Sequence, residues 1–137
     1  MMSNAVSNEK IRVVSIRQPW ACLIVNGYKT TLNETSSTRY RGTFLIHAKK
    51  RAQSKKARAF VERTFGVMPP EDLPRNGIVG VATLIDCVET HSSEWIVGPY
   101  DWVFKNARPL PFLPEPASVS IFTADDELLE YLEQFCK

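Results

Sequence analysis

Apolar positions along this chain fall into short runs of two kinds, β-branched stretches with a period near two and amphipathic stretches with a period near 3.6. Ile11 to Ile16 (IRVVSI) is rich in β-branched residues and predicts a first strand. Pro19 suits the first turn of a helix, and Trp20, Leu23, Ile24 and Gly27 fit a short amphipathic helix ending at Asn26-Gly27. Tyr28 to Thr38 has no apolar period and predicts a loop or an irregular edge strand. Gly42 to Ala48 (GTFLIHA) predicts a second strand, with Phe44, Ile46 and Ala48 on one face and Leu45 and His47 on the other. Ala52 to Phe65 predicts the clearest helix, its stripe formed by Ala52, Ala57, Phe60, Val61 and Phe65, with Gly66 as its stop.

The second half repeats the pattern in a different order. Gly77 to Glu89 (GIVGVATLIDCVE) is the most apolar run and predicts a long central strand, in which Gly80 marks a bulge or a close backbone approach. Asp86, inside that run, requires a partner or a cavity. Tyr100 to Phe104 reads as a strand, Pro109 to Pro116 as extended irregular backbone, and Ser118 to Phe122 as a last short strand. Ala124 to Phe135 predicts a closing helix with Leu128, Leu129, Leu132 and Phe135 inward and Asp125-Asp126-Glu127 at its N-terminus. The pattern therefore predicts an α+β protein, a small β-barrel of about five to six strands with flanking helices. Residues 1–10 read as a flexible polar tail and 11–137 as one domain.

Composition narrows the function classes. No apolar run reaches the roughly 20 residues that span a bilayer, so no membrane partner is expected and a cytoplasmic location is. Cys22, Cys87 and Cys136 are far apart and odd in number, and Cys22 and Cys87 lie in apolar runs, which predicts buried free thiols. With no C-x-x-C and with His47 and His91 isolated, no metal site is expected, and nothing calls for a cofactor. The net charge of +2 hides a strong asymmetry. From Arg39 to Arg63 nine cations face Glu62 alone, whereas from Glu115 onward six carboxylates face Lys137 alone. A basic middle suits a phosphate backbone, or is simply a solvated face.

Four segments carry a resemblance: SIRQPWACLIVNGYK (15–29), YRGTFLIHAKK (40–50), GIVGVATLIDCV (77–88) and GPYDWVFKNARPLP (98–111). In this order and spacing they resemble the ASCH domain, a member of the PUA-like β-barrel superfamily. The family signature is G-x-K-x-x-E-x-R. Gly27 and Lys29 match it, while Leu32 stands at the Glu position and Glu34 at the Arg position. The resemblance implies a PUA-like barrel and a cleft between barrel and first helix, lined by the signature loop. It implies single-stranded RNA or a modified nucleoside as the ligand. Some relatives hydrolyse acylated cytidine with a Lys, a Thr and a Glu, and others are linked to RNA cleavage.

Three readings stay open on these residues: an RNA or nucleotide binder, a ribonuclease or amidohydrolase on acylated cytidine nucleosides, and a regulatory adaptor. Lys29 is the first candidate for catalysis, as a base with a lowered pKa or as a holder of a phosphate or carbonyl oxygen. Tyr100, which with Trp102 either forms the far wall of the cleft or packs the barrel, and Ser118, which with Ser120 on the same side offers a hydroxyl, are the further catalytic candidates. Gln18 offers donor and acceptor to a base edge or ties down the Pro19 turn, and Trp20 stacks a base or packs the core. Arg39, Tyr40 and Arg41 interleave charge and ring, and Lys49, Lys50 and Arg51 continue that face. A monomer or weak dimer is expected.

Overall fold

The computed structural model describes residues 11–52, 54–89, 98–117 and 119–135. The elements are β1 (Arg12–Ile16), α1 (Trp20–Val25), β2 (Thr31–Glu34), β3 (Gly42–Ala48), α2 (Lys55–Phe65), β4 (Gly77–Glu89), β5 (Tyr100–Pro114), β6 (Ile121–Thr123) and α3 (Asp126–Phe135). The strands form one mixed sheet in the order β2-β5-β4-β3-β1-β6, curled into a half-barrel. Among the described strands only β1 and β3 run parallel, and the chain between them carries α1 and β2.

Each face of the sheet buries its own cluster. Val14, Ile16, Phe44, Ile46, Ala48, Ala82, Leu84, Trp102 and Phe104 share a core with Ala21, Ile24 and Val25 of α1. Val13, Leu45, Ile78 and Val81 pack on the other side against Ala124 and Leu128, at the start of α3. The alternation expected for β3 is thus present, with both faces covered. That explains why burial runs unbroken from Phe44 to Ala48. The short α1 is stable only because one side of it closes the first core.

Gly80 is where α1 meets β4. A Cβ there would lie 2.4 Å from Val25 Cγ1 and 2.6 Å from the Arg108 carbonyl, and the β4–β5 register shifts between Ile78 and Gly80. Bulge and close approach therefore coincide at this residue.

Three boundaries differ from the sequence expectation. The helix expected from Ala52 starts at Lys55, because the Ser54 hydroxyl caps it by accepting from the Ala57 amide at 3.3 Å. The irregular proline stretch is instead part of β5, which continues through Pro109 and Pro111 to Pro114. Prolines are tolerated there because β2 pairs only with Tyr100 to Val103, so the rest of β5 has β4 on one side alone. The last strand begins at Ile121, three residues later than expected, and pairs antiparallel with β1. Asp86 needs no cavity: it is exposed, accepts from its neighbour's Cys87 amide at 2.8 Å, and lies 3.8 Å from Arg41.

Candidate nucleic-acid interface

Lys29 sits just before β2, half-buried, its backbone amide donating to the Leu23 carbonyl at the end of α1. Its ammonium donates to the Thr31 carbonyl and, at 3.1 Å, to the Thr31 hydroxyl. Burial pushes the Lys29 pKa down, and the charge of Asp101 opposes that shift. Asp101 is itself held by the Asn33 amide at 3.2 Å. Side chains alternate along β2, so Thr31 and Asn33 share one face, while Leu32 and Glu34 share the other with their cross-strand partners Trp102 and Tyr100. Lys29 therefore works on the face of Thr31, and Glu34 lies on the opposite face. Glu34 is thus not the carboxylate that faces Lys29; among the described residues Asp101 is the acid whose charge acts on it.

The end of this ribbon is tied down by hydrogen bonds. Asn33 Nδ2 donates to the Gly98 carbonyl at 2.8 Å and the Tyr100 carbonyl at 3.0 Å, and its Oδ1 accepts from the Gly98 amide at 2.8 Å. Gly98 is packed so closely that a Cβ would lie 2.3 Å from the Glu34 carbonyl oxygen. Glu34 is half-buried; burial pushes its carboxyl pKa up, and Lys49 opposes the shift.

The remaining candidates divide clearly. Gln18 is buried, and its amide is used internally: Nε2 donates to the Pro74 carbonyl and Oε1 accepts from the Cys22 amide, both at 2.9 Å. Its placement is that of a strut between α1 and the 74 turn, not of a base reader. Trp20 packs against the first core, 6.0 Å from Phe60, and joins α1 to α2. Tyr40 is covered too. Its hydroxyl donates to the Thr43 carbonyl at 2.6 Å, its ring meets Phe44, and the Arg12 guanidinium lies 4.6 Å above it. Arg39 and Arg41 stay exposed on either side. Tyr100 is partly buried beside Glu34. Ser118 and Cys136 lie outside the described residues, as does His91, while Ser120 is exposed and its carbonyl accepts from Ser15.

The largest charged feature is basic. Lys49 at the end of β3 is half-buried, and Lys50, Arg51, Lys55 and Lys56 are exposed. Arg75 joins them by donating to the Lys50 carbonyl at 3.0 Å. Arg58 instead clamps the proline turn through the Pro69 carbonyl and, at 3.1 Å, the Pro70 carbonyl. The first turn of α2 has no acidic residue, and its place is taken by Lys55 and Lys56. Helix N-termini normally favour carboxylates by about 0.3–1 kcal/mol each, so two lysines there leave the positive helix end unneutralised. That signal was open in the sequence, where Ser54-Lys55-Lys56 could have been read as a cap followed by the wrong charges.

His47 is buried between strands. A carbonyl can only accept, so Nε2 carries the proton toward Glu115 O at 2.6 Å, and Nδ1 accepts the Ser15 hydroxyl at 2.7 Å. Burial pushes the His47 pKa down; the Glu115 hydrogen bond opposes this, and Lys49 adds to it. The folded protein thus takes up this proton less readily than the unfolded chain, whose His titrates near about 6.5. The His47 contribution to stability is complete above that pH and is lost as pH falls through it. Urea midpoints measured across this range should fall toward acid in the parent and fall less in His47→Gln.

No family model and no curated protein sequence matches the chain. Solved structures do. The architecture is an α+β half-barrel, and its fold is that of solved ASCH-domain structures. The ASCH protein of Zymomonas mobilis is similar with a TM-score of 0.58 and 15% identity, over 92% of this chain and 95% of that one. A serine-to-alanine variant of it gives 0.60 and 14%, over 91% and 95%. A tyrosine-to-phenylalanine variant gives 0.61 and 14%, over 93% and 99%. Among the described residues no helix is long and apolar enough to cross a membrane, and no group of three or more His, Cys, Asp or Glu could hold a metal ion.

Proposed function

We propose that the protein binds single-stranded RNA on the surface formed by the end of β3 and the start of α2. The observation that carries this reading is the charge there: from Lys49 to Arg63 seven cations face one carboxylate, and most of their side chains are exposed. Phosphate contacts dominate nucleic-acid affinity and make it fall with salt. The ASCH-domain fold is compatible with this ligand. The test is anisotropy of a short labelled RNA over a salt series, with the parent and with Lys49→Ala/Lys50→Ala/Arg51→Ala. Salt-dependent binding that the triple variant weakens supports the reading; binding indifferent to both salt and these charges refutes it.

A second reading, an RNA-cleaving or acylated-cytidine hydrolysing enzyme, rests on Lys29. A half-buried Lys with a lowered pKa, held beside a hydroxyl, is a candidate general base. Lys29→Ala should abolish turnover of RNA or acylated cytidine, read by mass, at an unchanged melting temperature. Turnover surviving the change assigns the activity elsewhere.

A further inference from the structure

One group on this side of the molecule is at odds with a phosphate-binding surface. Glu34 is half-buried, and among the described residues its carboxylate has neither a hydrogen bond nor an ion pair. A desolvated carboxylate with both oxygens unengaged is costly to keep. It also repels RNA phosphates. Its backbone is tied down: Asn33 bonds to Gly98, Gly98 packs against the Glu34 carbonyl, and Tyr100, one side of which packs against the first core, is its cross-strand neighbour on the same face. Lys49 of the basic surface is near enough for its charge to act on Glu34. An unengaged acceptor on a pinned backbone, next to an aromatic ring and a cation, fits a nucleobase better than it fits a phosphate backbone.

Resting on the RNA-binding reading, we infer that Glu34 selects guanine, accepting from the base's N1–H and N2–H2 while the base lies over Tyr100. Guanine presents two adjacent N–H donors on its Watson–Crick edge, which match the two free oxygens of one carboxylate. Adenine and cytosine present one amino group beside an acceptor, and uracil one N–H between two carbonyls, so each meets a carboxylate with a single donor. Unstacked single-stranded bases are read on this edge and stack on aromatic side chains. Stacking adds affinity without choosing the base, so the choice falls to Glu34.

The experiment compares five short RNAs that differ only at one central position, holding guanine, inosine, adenine, cytosine or uracil. Inosine keeps N1–H and lacks the amino group. The parent should prefer guanine over adenine by roughly tenfold or more, the usual discrimination of a two-bond contact, with inosine between. Glu34→Gln should bind all five nearly equally, because an amide turns a donor toward the base's donors. Folding does not confound the comparison. Burial raises the Glu34 pKa, so the charge opposes folding at neutral pH, and Glu34→Gln should melt at a higher temperature than the parent. The guanine preference should also fade as the parent is acidified through the raised Glu34 pKa. Binding of all five RNAs without preference, or a preference that survives in Glu34→Gln, overturns this inference and leaves RNA binding standing. Failure to bind any of them overturns both.

Discussion

Trp102→Ala should lower the unfolding free energy by about 3–5 kcal/mol, a large part of the roughly 5–15 kcal/mol that a domain of this size has to lose. Trp102 is 1% exposed and sits in β5 between Leu32 of β2 and Cys87 of β4. Its ring lies 5.8 Å from Phe44, and its indole N–H donates to the Ser36 carbonyl at 3.0 Å. Truncation removes the largest fully buried side chain of the first core and frees the loop after β2 at the same time. Trp102→Phe separates the two effects. It keeps most of the apolar volume and loses the hydrogen bond, so about 1 kcal/mol beyond the packing change is expected. A midpoint shift in urea at constant m value is the measurement. A loss below about 1 kcal/mol for the alanine variant would mean that the sheet end is not packed as described.

The second large effect is on binding. Lys49→Ala/Lys50→Ala/Arg51→Ala removes up to three phosphate contacts, each contributing about 0.7 to the slope of log affinity against log salt on a single strand. The slope should therefore shrink by about 2, and affinity near 0.1 M salt should fall by about a hundredfold. Lys50 and Arg51 are exposed, and the neighbouring Lys55 and Lys56 repel them, so folding should be nearly unaffected. Lys49 is the exception in detail. Its charge holds the Glu34 pKa down, and without it that carboxyl should titrate higher still.

Much of this was legible in the residues, and the failures have physical causes. IRVVSI, GTFLIHA and the first half of GIVGVATLIDCVE were readable as strands because both faces of the sheet are buried there and the runs are correspondingly apolar; from Ile85 on, the strand is largely exposed and only its β-branched content marks it. Pro109, Pro111 and Pro114 hid the second half of β5, since their tolerance depends on where β2 stops pairing, which is a tertiary fact. The residues left Gln18 open between a base reader and a tie for the Pro19 turn; the fold decides for the tie, because it brings Pro74 and the Cys22 amide to its two ends. Tyr40 looked available between two arginines; Arg12, distant in sequence, covers it. The signature loop showed that Leu32 and Glu34 were unusual. It did not show that Lys29 and Glu34 act on opposite faces of the ribbon, because that follows from pairing with β5. The basic stretch after β3 was legible throughout, as charge clusters are local in sequence.

The central claim is that this basic surface binds the backbone of single-stranded RNA, and one salt titration tests it most directly. Anisotropy of a short unstructured RNA, followed in the parent from about 50 to 200 mM salt, should show log affinity falling linearly with log salt, at a slope of about −2 or steeper. A slope near zero, or no binding at the lowest salt, would contradict the account.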